Sequence, residues 1–219
     1  MGARFSLLDN LDEAARAEII GGASEMSVSA GTAIFHQGEP ADACYLVARG
    51  RVLLRQLNAA GEQVIHRWAV EGELFGGVAA WSGAAYPLSA TANLDTRLYR
   101  WPGPGLFALM QAHPALLTHA LRYVSRRLIE AQNRLCEQAT LSMPARLARR
   151  LLALSEGPAP GTRVPIEGLS RRDLAEMCGT TLYSVSRQLR AWQEQGLLVC
   201  GRRHIRIIRS EALLRQAGQ

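Results

Sequence analysis

A run of basic and hydroxyl side chains between Leu169 and Arg209 has chemistry suited to a polyanion. An arginine guanidinium can donate two parallel hydrogen bonds to guanine O6 and N7 in the DNA major groove. Hydroxyls and further arginines bind phosphate oxygens, which position a protein on a duplex without reading its sequence. We expect Arg187 to read a base and Arg171, Ser186 and Arg190 to bind phosphates. The full set of candidate contacts is Arg171, Thr181, Tyr183, Ser184, Ser186, Arg187, Arg190, Arg202 and Arg203.

Two helices joined by a tight turn would position these side chains. Ser170 followed three residues later by Asp173 predicts a capped helix start, and that helix should end near Met177. Gly179, within Cys178-Gly179-Thr180, can adopt the left-handed conformation of a turn. Thr181 is the expected cap of the second helix. The stretch therefore predicts a helix-turn-helix.

The second helix should have two faces. Leu182, Val185, Leu189 and Trp192 are spaced by 3, 4 and 3 residues and predict the face that docks on the domain. Tyr183, Ser184, Arg187 and Arg190 lie opposite, with Ser186 at the flank. Further on, Gly201-Arg202-Arg203 separates two apolar runs and predicts a two-stranded wing with arginines at its tip.

Charge is distributed unevenly along the chain. Residues 1–139 contain 12 Arg and 13 Asp or Glu, a net charge of −1, whereas residues 140–219 contain 13 Arg and 6 Asp or Glu, a net charge of +7. A basic half beside a neutral half indicates a polyanionic partner for the basic half.

Upstream of the helix-turn-helix, residues 31–101 alternate short β-type runs with turn signals and predict a barrel or sandwich. The expected strands are 32–35, 43–47, 51–54, 64–68, 88–92 and 96–100, with a hairpin loop at 58–61. Before them, a short helix is expected through Ala14, Ala17 and Ile20. Asp9 or Asn10 should cap it, and Gly21-Gly22 should end it.

A long helical pattern runs from about Gly105 to Gln138 and should kink near His113-Pro114. Its apolar positions are spaced 4, 3, 4, 3 and 4, the seam of a coiled coil: Leu117, Leu121, Val124, Leu128, Ala131 and Leu135. The helix could lie on its own barrel or form a dimer. A dimer is favoured, because a two-fold DNA reader needs a second subunit to span both half-sites.

Residues 141–144 form a boundary, where Ser142 should cap a helix over 145–154. Arg163–Ile166 is a short strand candidate. The predicted fold class is α+β in three parts. Residues 1–104 form a sensor domain with an N-terminal helix, residues 105–139 a dimerisation helix, and residues 140–219 a winged helix-turn-helix.

The pattern of residues 31–76 is similar to the cyclic-nucleotide-binding type of β-roll. The matching positions are Gly31, Phe35, Gly38-Glu39, Ala41-Asp42, Tyr45-Leu46, Gly50, Val52, Gly72-Glu73 and Phe75-Gly76. With the long helix and the helix-turn-helix, nearly the whole chain resembles the CRP/FNR family of bacterial transcription regulators. Residues 179–187 with Ala191-Trp192 are similar to members that respond to nitric oxide.

The resemblance implies a homodimer that binds two-fold symmetric double-stranded DNA and works with RNA polymerase. Family members usually have Glu at the position of Tyr183. A carboxylate there accepts a hydrogen bond from cytosine N4, which tyrosine cannot do in the same way. We therefore expect a half-site different from the familiar ones.

The resemblance also locates the effector pocket. Cyclic-AMP receptors hold the phosphate with an Arg-Ser pair, the ribose with a Glu and the purine with a polar pair on the dimer helix. In this chain Pro87-Leu88 stand at the place of the Arg-Ser pair, and Gly77, beside Gly76, at the place of the Glu. Ala131-Gln132 stand at the place of the polar pair. A phosphate without its arginine loses its charge-assisted hydrogen bonds, so cyclic AMP is disfavoured.

Other signals stay open at this point. Residues 1–43 contain no Cys, which disfavours the iron–sulfur cluster of some members. Haem is compatible with the sequence, with an axial ligand from a Cys or from His36, His66, His113 or His119. A thiol switch, a hydrophobic effector in the roll and the loss of all effector control are the alternatives. The scattered Cys44, Cys136, Cys178 and Cys200 are expected to be core residues.

The sequence contains few signals for other classes of function. No phosphate loop, metal-ligand cluster or nucleophile–base motif is present in the sequence, so an enzyme is not expected. An architectural DNA binder without a sensor is the alternative. No apolar run reaches the ~18 residues of a membrane span and the N-terminus lacks signal-peptide order, so we expect a cytoplasmic protein without a membrane partner.

Overall fold

The computed structural model describes residues 8, 11–61, 63–157, 159 and 161–218. The chain divides into two compact units, residues 4–130 and residues 131–219. The first contains both large antiparallel sheets and the second contains the helix-turn-helix. Among the described residues, no helix combines the length and the apolar run that a bilayer span requires.

The first unit consists of a β-roll flanked by helices. Its elements are α1 (Glu13–Gly21), β1 (Ser24–Val28), β2 (Ala33–Phe35), β3 (Ala43–Arg49), β4 (Arg51–Leu57), β5 (Gln63–Val70), β6 (Leu74–Phe75), α2 (Gly77–Ser82), β7 (Ser89–Ala92), β8 (Thr96–Pro102), α3 (Gly103–Ala112) and most of α4 (Pro114–Thr140). The strands form two four-stranded antiparallel sheets in the orders β1-β8-β3-β6 and β2-β7-β4-β5. A cluster of buried side chains from both sheets, including Val47, Val52 and Leu98, fills the roll.

The turn between β3 and β4 requires glycine. Gly50 has φ +99°, and a Cβ there would lie 2.7 Å from the carbonyl oxygen of Asp95. No L side chain fits that space without moving the backbone of the facing loop. This glycine keeps β3 and β4 adjacent, although the two strands belong to different sheets.

A second core joins the helices to the outer side of the β3–β8 pair. Ile19, Trp101, Leu106 and Leu116 are fully buried in it. The indole Nε1 of Trp101 donates to the carbonyl oxygen of Ile19 at 2.7 Å, which satisfies the polar atom of a buried ring. The helices are thereby fixed to the roll.

Two predictions for this unit need correction. The first helix is capped by Asp12, whose Oδ1 accepts from the Ala15 amide at 2.7 Å; Asp9 and Asn10 lie outside the described residues. Residues 24–28, where no strand was expected, pair with β8.

The kink predicted near His113-Pro114 is confirmed and is a full break, since α3 ends at Ala112 and α4 begins at Pro114. Pro114 disfavours a helical conformation in the residue before it.

The second unit contains the end of α4 and seven further elements: α5 (Met143–Leu154), β9 (Ile166–Glu167), α6 (Arg171–Cys178), α7 (Leu182–Glu194), β10 (Leu198–Gly201), β11 (His204–Ile207) and α8 (Ser210–Gln216). Ser142 caps α5, as predicted. The strand expected over 163–166 is shifted to Ile166–Glu167, where it pairs with β11. The sheet order is β10-β11-β9.

Candidate nucleic-acid interface

Helix α6 begins and ends as its sequence predicts. Ser170 Oγ accepts from the Asp173 amide at 3.1 Å, and Asp173 Oδ2 accepts from the Ser170 amide at 2.7 Å. These reciprocal bonds satisfy two of the amides that a helix start leaves unpaired. Gly179 ends the helix at φ +59° and ψ +51°, the left-handed conformation. The turn into α7 is therefore defined by local chemistry.

Helix α7 is capped by Thr181, whose Oγ1 accepts from the Ser184 amide at 3.2 Å. Val185, Leu189 and Trp192 are buried and fix the helix to its domain. The prediction that Leu182 joins this face is wrong, since 51% of its surface is exposed. Leu182 is the first residue of the helix, and side chains of the first turn extend beyond the elements on which the rest of the helix packs.

The outer face of α7 presents Tyr183, Arg187 and Arg190, all exposed. The Arg187 guanidinium lies 5.8 Å from the centre of the Tyr183 ring, one turn earlier on the helix. Such a cation–π contact restrains the arginine without consuming its hydrogen-bond donors. Ser184 and Ser186 are half-buried, and Ser184 Oγ lies 3.0 Å from Thr181 Oγ1 within the cap.

The wing is the hairpin of β10 and β11, with Gly201 opposite His204. Arg202 and Arg203 are exposed at its tip, and Arg203 has φ +55°. The carbonyl oxygen of Arg203 accepts from the Gly168 amide at 2.9 Å. The amide of Cys200 donates to Gln193 Oε1 at 3.0 Å, which joins the wing to α7. Both arginines are thus carried on an anchored hairpin.

Several arginines of the basic unit are bonded to other groups of the protein and are not free to bind a partner. Arg146 donates from Nε to the carbonyl oxygen of Cys178 at 3.2 Å and from Nη1 to that of Leu141 at 2.7 Å. Arg149 pairs with Glu137 at 3.0 Å and donates to the carbonyl oxygen of Ala217. The net charge of this unit therefore overstates how many arginines face a partner. Arg171, at the start of α6, is exposed.

Helix α4 has an apolar outer side. Leu117, Leu121, Leu128 and Leu135 are 51 to 67% exposed, whereas Val124 and Ala131 are half-buried. Other residues of the helix, among them Leu116, Ala120 and Tyr123, are buried within the first unit. One side of α4 therefore packs on its own roll, and the seam leucines lie exposed; a dimer through this seam stays a prediction.

Aromatic rings fill part of the roll interior. Phe35 and Tyr86 stack with ring centres 3.7 Å apart, and Tyr45 and Phe75 stack at 5.2 Å. The Tyr86 hydroxyl donates to the carbonyl oxygen of Ala43 at 2.6 Å, and burial raises the pKa of Tyr86 well above its usual range. These rings already have their partners within the protein.

Only some of the predicted effector residues lie near this interior. Gly76 and Gly77 begin α2, and a Cβ on Gly77 would lie 2.9 Å from the Trp81 ring. Pro87 is exposed, and Leu88 packs against the core of the roll. Ala131 and Gln132 belong to the second unit, where Ala131 is half-buried and Gln132 is exposed.

A buried ionic cluster, which the sequence did not reveal, links the roll to α4. We call it the Glu73 cluster; it comprises Arg67, Glu73, Tyr123 and Arg127. Glu73 accepts from Arg67 at 2.9 Å and from Arg127 at 2.6 Å. Arg67 also donates to the Tyr123 hydroxyl at 2.6 Å, and that hydroxyl donates to the carbonyl oxygen of Leu74. Each charged member therefore has an opposite charge within hydrogen-bond distance.

The haem hypothesis finds weak support in the ligand candidates. His66 Nε2 lies 2.9 Å from Gln56 Oε1, and His113 Nε2 lies 3.1 Å from Glu18 Oε2, so both nitrogens already face acceptors. His119 is buried and His36 is exposed. Within the described residues, no group of three or more His, Cys, Asp or Glu could hold a free metal ion. Haem needs only one or two axial ligands from the protein, so haem binding stays a prediction.

The cysteines differ from one another. Burial raises the pKa of Cys44 to about 12 and that of Cys178 to about 11, so neither forms thiolate readily at neutral pH. Cys200 is half-buried and Cys136 is exposed, so the expectation that all four are core residues is wrong for these two.

Comparisons with known proteins bear on both units. Residues 145–216 match the model of a Crp-like helix-turn-helix domain, and residues 25–113 match that of a cyclic nucleotide-binding domain. The cyclic AMP receptor protein of Thermus thermophilus is 30% identical over 187 residues, which cover 85% of this chain and 84% of that protein.

Two further relatives extend the match. The CRP-like cAMP-activated global transcriptional regulator of Mycobacterium tuberculosis is 22% identical over 218 residues, covering 98% of this chain and 97% of the relative. The structure of FixK2 from Bradyrhizobium japonicum superposes with a TM-score of 0.78 at 26% identity, covering 89% of this chain and 96% of that one. The similarity therefore spans both units.

Proposed function

The chain belongs to the CRP/FNR family of DNA-binding transcription regulators, and we propose that it is a homodimer that binds two-fold symmetric DNA and answers a signal other than cyclic AMP. The family match shows that the protein is a DNA-binding transcription regulator. The dimer, the symmetry of the site and the nature of the signal are our proposal. We also propose that it works in the cytoplasm and, like the family in general, with RNA polymerase.

The observation that carries the proposal is the outer face of α7. In a helix-turn-helix, the N-terminal residues of the second helix contact base edges in the major groove. At that place Arg187 keeps its donors available beside the exposed ring of Tyr183. The wing arginines Arg202 and Arg203 are suited to the flanking phosphates. In this proposal Arg171, Ser186 and Arg190 also bind phosphate, and Thr181 and Ser184 shape the helix start at the groove.

The exposed leucines of α4 support the dimer. An apolar stripe of this length on one helix is a typical interaction surface, since water disfavours contiguous exposed apolar area. A second copy would cover it with an identical stripe in a two-fold interface. Two recognition helices then meet half-sites whose centres lie about 34 Å apart, one turn of DNA.

The interior of the roll supports a signal other than cyclic AMP. Pro87 and Leu88 offer no cation to a cyclic phosphate, and Gly77 has no side chain for a ribose. Nitric oxide sensed through haem stays a prediction, and the absorption spectrum of the protein mixed with haem, with and without nitric oxide, tests it. No Soret shift on mixing would contradict haem. Constitutive binding, a thiol switch and another small effector in the roll are the alternatives.

Footprinting on genomic fragments tests the regulator proposal. We expect protection of discrete sites with two-fold symmetry and half-site centres about one helical turn apart. Protection that ignores sequence would instead identify an architectural binder. The same fragments with Leu121→Glu protein should lose the symmetric footprint if the dimer is required.

A further inference from the structure

A cavity of about 420 Å³ lies on the surface of the first unit, at one end of the sheet β1-β8-β3-β6. Its lining includes two serines, two arginines and one carboxylate: Ser27, Ser29, Arg49, Asp95 and Arg97. The volume falls within the range of about 300–1,000 Å³ that is typical of small-molecule sites. None of these side chains belongs to the DNA-binding surface or to the place of a cyclic nucleotide, so the functions proposed above leave the cavity unused.

The two arginines of the cavity stand side by side in the sheet. Arg49 of β3 is directly opposite Arg97 of β8, and Ser27 of β1 is opposite Arg97 on its other side. The Cβ atoms of directly opposite residues lie about 5 Å apart, and like charges at this spacing destabilise a sheet. An anion bound between the arginines would remove that cost.

A bulge in β3 produces this pair. Val47 is opposite Leu98, and Arg49 is opposite Arg97, so two steps along β3 match one step along β8. Regular pairing would place Ala48 opposite Arg97 and turn Arg49 to the other face of the sheet. Bulges redirect side chains in this way and are frequent beside functional sites. The irregularity therefore brings a second arginine to the face that carries the first.

Only one of the two arginines has a partner in the protein. Arg97 donates from Nε to Glu25 Oε1 at 2.7 Å and also from Nη2 to the same oxygen. Within the part of the chain that the structure describes, the exposed guanidinium of Arg49 makes no hydrogen bond or ion pair. Its five N–H donors are therefore available to a ligand. Guanidinium groups bind phosphate through parallel, charge-assisted hydrogen bonds, which makes phosphate the anion that suits this pair.

Three turns hold the walls of the cavity in place. Asp95 Oδ1 accepts from the Ala30 amide at 2.9 Å, which ties the turn before β8 to the one after β1. Thr96 Oγ1 accepts from the Arg51 amide at 3.2 Å, and Gly50 lies against the backbone of Asp95 and Thr96. The cavity is thus formed before any ligand arrives, as small-molecule sites usually are.

Asp95 restricts the kind of phosphate that suits the cavity. Its carboxylate accepts hydrogen bonds and repels a second anion. A ligand that places phosphate on the arginines therefore needs hydrogen-bond donors toward Asp95. The hydroxyls of Ser27 and Ser29 are able to donate or accept, so they suit either end. A phosphate ester of a molecule with several hydroxyl groups meets both requirements, whereas inorganic phosphate meets only the first.

We propose that this cavity binds a phosphorylated polyol, such as a sugar phosphate. Its phosphate contacts Arg49 and Arg97, and its hydroxyl groups donate to Asp95. The first unit then has a ligand site on its outer surface, apart from the place that cyclic nucleotides occupy in the receptors that the chain resembles. This proposal does not depend on the DNA site or on the signal proposed above.

Isothermal titration calorimetry of the full-length protein in phosphate-free buffer tests the proposal. The probes are glycerol 3-phosphate, ribose 5-phosphate, glucose 6-phosphate, inorganic phosphate and glucose. We expect at least one of the three organic phosphates to bind about tenfold more tightly than inorganic phosphate, the effect of one additional hydrogen bond to a charged group. Glucose, which lacks the anion, should give no measurable heat.

Substitutions assign the binding to the cavity. Arg49→Ala should weaken binding of the organic phosphate about tenfold or more, because its charge-assisted hydrogen bonds are lost. Arg49→Lys keeps the charge but not the paired donors, and should fall between Arg49→Ala and the unmodified protein. Arg122→Ala removes an exposed arginine of α4 and is the matched control, with binding unchanged.

Asp95→Asn tests the selection of hydroxyl groups. The amide oxygen of asparagine is still able to accept from Ala30, so the turn keeps its bond. Without the negative charge, inorganic phosphate should bind more tightly and the organic phosphate more weakly. The preference between them should therefore fall severalfold.

Four results would overturn the proposal. They are the absence of binding by all three organic phosphates, equal affinity for inorganic phosphate, an undiminished affinity in Arg49→Ala, and an unchanged preference in Asp95→Asn. Circular dichroism and thermal melting accompany each variant. Arg49→Ala should melt no lower than the unmodified protein, since it removes a like charge beside Arg97. Loss of its fold would also count against the proposal, because Arg49 would then have a structural role.

Discussion

The recognition helix and the interior of the β-roll treat their functional groups in opposite ways. On α7, the exposed Arg187 lies over the ring of Tyr183, a contact that leaves its five donors for an outside acceptor. In the roll, Tyr86 stacks on Phe35 and donates to a backbone carbonyl, and Glu73 pairs with two arginines. The first region exposes its donors, and these groups of the second are paired within the protein.

This difference teaches how far a family resemblance extends to each unit. Nucleic-acid binding needs exposed donors, and these are present. For the first unit, the resemblance aligns Pro87, Leu88 and Gly77 with the residues that hold the phosphate and ribose in cyclic-AMP receptors, and our proposal of another signal depends on that correspondence. The following four predictions test the contrast, in order of decreasing expected effect.

The Glu73 cluster should dominate the stability of the first unit. Glu73→Ala leaves Arg67 largely buried without a carboxylate, whereas Arg127 keeps Glu130 at 2.6 Å. Breaking the buried pair with Arg67 in this way costs about 3 kcal/mol. Urea unfolding followed by tryptophan fluorescence measures the change. The surface pair of Glu25 and Arg97 is the matched control, and Glu25→Ala should leave the midpoint almost unchanged. Equal effects of both substitutions would show that the cluster contributes little.

The dimer should depend on the leucine stripe of α4. Leu121→Glu would bury a charge against an identical charge in a two-fold interface, at a cost on the order of 3 kcal/mol, or more than a hundredfold in Kd. Sedimentation should then give monomers that keep their secondary structure. Arg122→Glu changes the charge of an exposed neighbour and serves as control. A variant that stays dimeric would place the subunit contact elsewhere.

Base reading should depend on Arg187 more than on the wing. Arg187→Ala should weaken binding to a site identified by footprinting by about 1–3 kcal/mol and remove the preference at one base pair. Arg203→Ala should weaken all duplexes alike and lower the salt dependence, as expected for a phosphate contact. Binding isotherms on matched and mismatched duplexes at two salt concentrations separate these patterns. If both variants behave alike, Arg187 contacts phosphate.

The hydroxyl of Tyr86 should contribute to folding and not to DNA binding. Tyr86→Phe keeps the stacked ring but leaves the carbonyl of Ala43 without this donor, a loss of about 1 kcal/mol. Urea unfolding should show this small shift, while the Kd for DNA stays unchanged. A large change in DNA affinity would instead make Tyr86 part of the signalling path and would weaken the contrast between the two regions.

Sequence reasoning succeeded where the signal is local. The caps of α6 and α7, the left-handed Gly179 and the two-stranded wing each depend on a few adjacent residues, and all were predicted. It failed where distant parts of the chain meet. Glu73 and Arg127 are 54 positions apart, and no local pattern reveals such a pair. The exposure of Leu182 was missed for a related reason: periodicity gives the side of a helix but not where the packing against it ends.

The crowding at Gly77 limits which substitutions this part of the roll can accept. A Cβ at this position would lie 2.9 Å from the Trp81 ring and 3.0 Å from Leu74. Any side chain placed there would have to displace one of these neighbours. A designed variant with an acidic group at Gly77 therefore needs a smaller side chain in place of Trp81.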